Sequence, residues 1–213
     1  MAIGMGRGEA LTGGASRSLT CRPPGHRLAR MITRAEYDAA RHWAWQFAQG
    51  AGIPLRPTEI DAMDVADLGL GELATTGLQI LTLAATEWVG AKLLILRPHQ
   101  FFPQHRHPPL PDGSYPGKTE VFRGQRGVAW LYTQGEATAH PQVLPPEHRR
   151  AWCTACREVR LGPGDQYVEQ PNTWHWFMAG PEGAIVWSIS SRVTDAADQF
   201  SDPQVVRQTR IAD

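Results

Sequence analysis

His105 and His107 stand one residue apart within a β-prone stretch, Gln100–His107. Alternate residues of a strand share a face, so both imidazoles project together. That pairing suits a metal ion, although His-x-His alone also fits two exposed strand histidines. Glu120 follows beyond a loop containing Pro108, Pro109, Pro111, Gly113, Pro116 and Gly117. His175 comes much later, in Pro171-Asn-Thr-Trp-His175, after the turn Leu161-Gly-Pro-Gly-Asp165. Three imidazoles and one carboxylate make a donor set of intermediate hardness, fit for a divalent ion such as Mn²⁺, Fe²⁺, Ni²⁺, Co²⁺ or Zn²⁺. Four protein ligands on an octahedral ion leave two positions open, as a reactive rather than a structural site requires. The remaining histidines, His26, His42, His99, His140 and His148, fall in a tail, a helix or loops, where surface or packing roles suffice.

The basic residues carry a second signal. Lys92 and Lys118 are the only lysines, against 19 arginines. Arginine does not give up its proton in proteins, whereas a buried lysine can. Either lysine is therefore a candidate for work that arginine cannot do, and chance is the plain alternative. Cys21, Cys153 and Cys156 are too few for a disulfide scaffold. The Cys153-Thr-Ala-Cys156 spacing has no second pair beside it and reads as an incidental loop pair.

Elements able to position these residues are legible along the chain. Thr33 and Glu36 have capping-box spacing, Tyr37, Ala40, Ala44 and Phe47 recur at helical spacing, and Gly50 with Gly52 ends the helix. Pro54 and Pro57 force an extended link, and a short helix is expected from Thr58 to about Ala66. Short β-prone runs follow: 78–83, 92–96, 128–132, 142–144, 159–161, 166–169, 174–178 and 184–190. Turn formers such as Gly124, Gly127, Gly162, Gly164, Gly180, Pro181 and Gly183 are expected to separate them. Many short strands without βαβ alternation indicate a sandwich or barrel. Trp174 and Trp176 share the strand face opposite His175, so an inward His175 sends both outside the barrel. The polar stretch from Asp195 is expected to pack as a loop or short helix.

At 213 residues the chain suits one domain, here 31–213, preceded by a flexible tail, 1–30. That tail holds Arg7, Arg17, Arg22, Arg27 and Arg30 against Glu9 and lacks the apolar run of a secretory signal, so a cytoplasmic protein is the default. The formal net charge is +0, which argues for neither nucleic acid nor an anionic membrane as partner. No apolar run approaches the ~20 residues that span a bilayer.

The order His105-x-His107, Glu120, Gly162-Pro-Gly164, His175 resembles the two-motif arrangement of cupins, small double-stranded β-barrels (jelly-rolls) with a metal inside. The expected fold is thus mostly β, with the N-terminal helices packed outside. A closer resemblance, to the D-lyxose isomerase family of cupin-type sugar isomerases, covers roughly residues 31–200. It rests on the run from Asp67 to Leu83, on Ala91-Lys-Leu-Leu-Ile-Leu96, Gln100, the histidine pair and Lys118-Thr-Glu120. Leu161-Gly-Pro-Gly-Asp165, Pro171-Asn-Thr-Trp-His175, Ser190-Ser191 and Asp195 complete it. The resemblance implies a Mn²⁺-preferring homodimer interconverting D-lyxose with D-xylulose, and often D-mannose with D-fructose. It places the metal on His105, His107, Glu120 and His175, and a catalytic role on Lys118 beside Glu120.

Two departures stand out. The histidine pair and the glutamate are separated here by residues 108–119, a Pro- and Gly-rich insertion carrying Asp112 and Tyr115. Where the family has a proton-transferring glutamate, two residues before the paired serines, this chain has Ser188. A serine hydroxyl is too weakly basic to take a proton from carbon unaided. Glu169 and Asp195 are the carboxylates that can replace it, and Tyr115, Trp174 and Trp176 are candidates for the pocket wall. An Fe²⁺ cupin dioxygenase and a metal- and sugar-binding cupin without turnover are the competing readings.

Overall fold

The computed structural model of the protein describes residues 31–212. The expected tail, 1–30, lies outside the described residues. Along the chain run β1 (Ile32–Thr33), α1 (Arg34–Gln49), α2 (Pro57–Asp61), β2 (Asp64–Ala66), β3 (Leu78–Ala85) and β4 (Gly90–Leu96). Then come β5 (Phe101–Arg106), β6 (Glu120–Thr133), β7 (Arg157–Leu161), β8 (Gln166–Glu169), β9 (His175–Ser190), β10 (Gln199–Phe200) and β11 (Ile211–Ala212).

Two long strands organise the sheet. β6 and β9 pair antiparallel from end to end, with Glu120 opposite Ser190 and Thr133 opposite His175. The later half of β9 carries β4, then β3 and β2, and its first half carries β5, then β10. β8 and β7 line the other edge of β6. The β6–β9 ribbon shifts register between Gly124 and Arg126 and again between Gly127 and Ala129, and such bulges bend a strand. Gly127 has φ +61, and a Cβ there would meet the Gly183 carbonyl at 2.0 Å, so only glycine permits this crossing. The glycines expected to end strands therefore fold one continuous ribbon over on itself.

Folding the ribbon closes a barrel around Leu78, Ile80, Leu94, Phe102, Phe122, Leu131, Phe177 and Val186. Each such side chain, fully buried, stabilises the fold by roughly 1.5–3 kcal/mol. This is the expected cupin double-stranded β-barrel. α1 lies outside it, begun by the Thr33–Glu36 capping box. Its small residues Ala44 and Ala48 press on Leu81, Leu93, Ile95 and Ile185 of the outer sheet face, and Ala40 on Val65.

Two expected elements differ. The helix expected over Thr58–Ala66 stops at Asp61, and Asp64–Ala66 pairs instead with Leu78–Ile80. Burial of Val65 and Ala66 against the sheet outweighs weak local helix preference there. Residues 142–144 form no strand, because the Val143 carbonyl accepts from the Tyr132 hydroxyl and the Gln142 N–H is taken by Glu158. After β9 the chain is largely irregular, as expected, with a 3-10 turn at Asp195–Ala197. It returns across the fold through Val206 N–H to the Leu68 carbonyl (2.9 Å), Thr209 hydroxyl to the Val65 carbonyl (2.6 Å) and the parallel β1–β11 pair.

Candidate metal centre

β5 supplies His105, the residue just past its end is His107, β9 begins at His175 and β6 begins at Glu120. His105 and His175 are direct cross-strand partners. Glu120 pairs at the far end of β9, yet the folded ribbon returns it to the histidines, with its Oε2 3.0 Å from His107 Nε2. All four residues are buried.

One ligand atom from each of His105, His107 and His175 falls within 4.8 Å of the others, close enough to hold a metal ion. Each ring is oriented from behind through Nδ1: His105 to the Pro103 carbonyl (3.0 Å), His175 to the Thr173 carbonyl (2.9 Å), His107 to Asp198 Oδ1 (2.6 Å). A proton on Nδ1 leaves Nε2 as the acceptor. The Nε2 atom of His175 is buried without any hydrogen bond, and that of His107 faces Glu120 Oε2 at 3.0 Å. An unfilled buried acceptor costs about 1–3 kcal/mol, and three convergent nitrogens held in this way fit a cation. Burial, then the neighbouring His107, pushes His175 down to about 3, and burial with His175 beside it lowers His105 well below the usual range. Both are held neutral, the form in which an imidazole can bind a metal.

The acidic side of the site is equally ordered. Glu120 Oε1 accepts from the Ser188 hydroxyl, and Lys118 Nζ lies 3.2 Å from Oε2. Burial opposes charge on Glu120, but Lys118 and His107 hold its carboxyl well below the usual range. Burial likewise opposes charge on Lys118, yet Glu120, Asp195 and Asp198 raise its ammonium above the ordinary value. Asp195 sits 3.8 Å from Lys118, is bonded by Lys92 and lies 3.6 Å from Arg207. The two lysines of the chain thus converge on one carboxylate, and burial of Asp195 is outweighed by them, which lowers its value.

Lys92, Lys118, Glu120, Asp195, Asp198 and Arg207 form one side of the cavity beside His105 and His107; Leu78, Ile80, Leu94, Phe102, Phe122 and Phe177 form the rest. Glu169 is the direct cross-strand neighbour of Glu120 but does not line this cavity, and burial pushes its carboxyl up to about 7. Tyr115, a candidate for the wall, does not line it either: its hydroxyl is bonded to that of Ser191 and lies 3.3 Å from the Arg192 carbonyl. Trp176 packs outside the barrel, as an inward His175 demands, stacked on Tyr132 at 4.0 Å with Nε1 donating to the Ala155 carbonyl. Trp174 is outside too, beneath the Arg106 guanidinium. Asp198 and Arg207 were not singled out by sequence reasoning, and nothing marks them within a polar tail. Lys92 was, through the scarcity of lysine alone.

No family model matches the chain. Curated relatives do. A D-lyxose/D-mannose isomerase of Thermosediminibacter oceani is 41% identical over 183 residues, 86% of this chain and 100% of that protein. A D-lyxose ketol-isomerase of Cohnella laeviribosi is 45% identical over 172 residues, 81% of this chain and 93% of that protein. Among solved structures, the L-ribose isomerase of Acinetobacter sp. DL28 in complex with L-ribose has TM-score 0.69 at 18% identity, covering 87% of this chain and 100% of that one. The ligand-free L-ribose isomerase of Cellulomonas parahominis also has TM-score 0.69, at 18% identity, covering 85% of this chain and 99% of that one. At such identities the structural likeness concerns the fold, whereas the curated relatives reach further: the chain belongs to the D-lyxose isomerase family of aldose–ketose isomerases.

Proposed function

We propose that this protein is a metal-dependent isomerase of D-lyxose and D-xylulose, with D-mannose and D-fructose as further substrates, working through an enediol. The observation that carries this reading is the convergence of three oriented imidazoles with Glu120 beside two lysines and Asp195. His105, His107, His175 and Glu120 would hold the ion, with Mn²⁺ preferred by resemblance to the family. When bound, a divalent ion supplies Lewis-acid polarisation of the sugar oxygens, which acidifies the carbon-bound proton.

The chain's own groups supply the rest. Lys118, held protonated, donates to a sugar oxygen and stabilises negative charge developing there. Asp195 is ionised and lines the cavity, so it accepts the proton from one reacting carbon and returns it to the other. Of the two carboxylates offered in place of the family's glutamate, this favours Asp195 over Glu169. Ser188 then serves Glu120, by fixing one carboxylate oxygen so that the other faces the histidines. The apolar wall of Phe102, Phe122 and Phe177 excludes water from the reacting carbons.

The assay is ketose formation from D-lyxose and D-mannose by chelator-treated protein before and after Mn²⁺ addition. Turnover that returns with the ion supports the reading; oxygen consumption without ketose would point to a dioxygenase, and metal binding with no turnover to a binder. A homodimer is the proposed assembly, and light scattering at the mass of one chain would reject it. Ile189 and Val168, 47% and 45% exposed and both in register with Val121, offer an apolar outer face for it.

A further inference from the structure

The cavity beside the histidines holds about 40 Å³. A cavity this narrow beside the histidines suits the reacting end of a sugar. The remaining carbons have a way out along its walls. Two neighbouring cavities share walls with this one. The deeper holds about 10 Å³ and is walled by Leu94, Phe122, Ala129, Leu131, Leu161, Phe177 and Val186. Hydroxyls gain no hydrogen bond there and lose those to water. The outer one holds about 490 Å³, shares Asp195 and Arg207 with the inner cavity, and adds Tyr37, Asp64, Gln208 and Thr209. A polyhydroxylated chain fits that polar route.

Arg207 stands at the partition. Its Nη2 lies 3.6 Å from Asp195 Oδ2 and its Nη1 3.3 Å from Asp64 Oδ2. The backbone around it is anchored by Val206 N–H to the Leu68 carbonyl (2.9 Å) and the Thr209 hydroxyl to the Val65 carbonyl (2.6 Å). The side chain keeps 27% of its surface exposed, so it remains accessible. A planar guanidinium with fixed donors, set on an anchored backbone, suits the paired hydroxyls of a sugar's remote end.

We propose that Arg207, held between Asp195 and Asp64, binds the end of the sugar remote from the reacting carbons and sets how many carbons the site accepts. This rests on the isomerase reading for the nature of the ligand. Removing the guanidinium joins the two cavities, so a six-carbon ligand gains relative to a five-carbon one.

The test uses Mn²⁺-loaded full-length protein and two readouts. The first is calorimetric binding of xylitol and D-mannitol, open-chain polyols of five and six carbons that cannot isomerise. The second is kcat/KM for D-lyxose and D-mannose. Arg207→Ala is expected to weaken five-carbon binding about tenfold, the loss of a hydrogen bond to a charged group, and the six-to-five preference should rise about fivefold. Asp64→Asn, which frees one side of the guanidinium, should move the preference the same way by less. KM should carry most of the change, and kcat a smaller part of it through the contact of Arg207 with Asp195. An unchanged length preference in both variants overturns the proposal, even where turnover persists and the isomerase reading stands. A preference that shifts for polyols while no aldose is isomerised upholds Arg207 and sinks the isomerase reading instead.

Discussion

His105, Glu120 and His175 project from β5, β6 and β9, whereas Asp195, Asp198 and Arg207 stand on the irregular chain that follows β9. The first group sits within an antiparallel ladder, where backbone pairing fixes side-chain direction at every second residue. The second group is held by the two-residue pairing of β10 with β5 and by single bonds, such as Ser201 N–H to the Gln104 carbonyl and the buried Arg149–Asp202 pair at 2.6 Å. In the proposed reading, strands present most of the donors that would hold the ion, and a strapped segment brings the groups that would orient, charge and delimit the ligand. Loops supported by a rigid scaffold commonly carry such adjustable contacts. The division predicts that strand-borne residues govern metal retention and segment-borne residues govern turnover and specificity.

His105→Ala or His175→Ala should give the largest effect. Metal affinity is expected to fall by more than about 100-fold, beyond the range seen for outer partners, with isomerase activity lost at ordinary Mn²⁺ concentrations. Metal titration checks it, and retained occupancy would remove these residues from the site. Asp195→Asn and Lys118→Met come next: kcat should drop by roughly 10²–10⁴-fold while bound metal stays near wild type, read by parallel kinetics and metal analysis. Metal loss in these variants would break the division. Asp198→Asn should be intermediate, weakening metal binding by about 10–100-fold through a misoriented His107. A loss as large as that of a histidine would mean that Asp198 belongs with the strand group despite its place on the segment. Ser188→Ala should be mildest, weakening metal affinity about fivefold by releasing one oxygen of Glu120. If it abolished turnover with metal retained, Ser188 itself would take part in proton transfer.

Much of this was legible beforehand. α1 follows from a capping box and a small-residue face, and the β-rich class follows from short runs set among glycine and proline. The ligand types followed from His-x-His, Glu120 and His175. Less legible was the continuity of β6 and β9, because glycine that ends a strand and glycine that bends one read alike in sequence. The helix expected over Thr58–Ala66 failed for a related reason: pairing with β3 is a distant interaction that local preference does not contain. Tyr115 was misplaced because the inserted loop turns it toward Ser191, away from the cavity.

By itself, the sequence determined which donors are available and that His105 and His107 share a face, since both facts depend on residue identity and strand period. Only the tertiary structure decided that Glu120 meets the histidines, that Lys92 and Lys118 share Asp195, and that Arg207 separates two cavities. Those contacts join residues far apart in the chain, and their distances depend on where the glycines fold the ribbon and on how the last segment is tied back across β2.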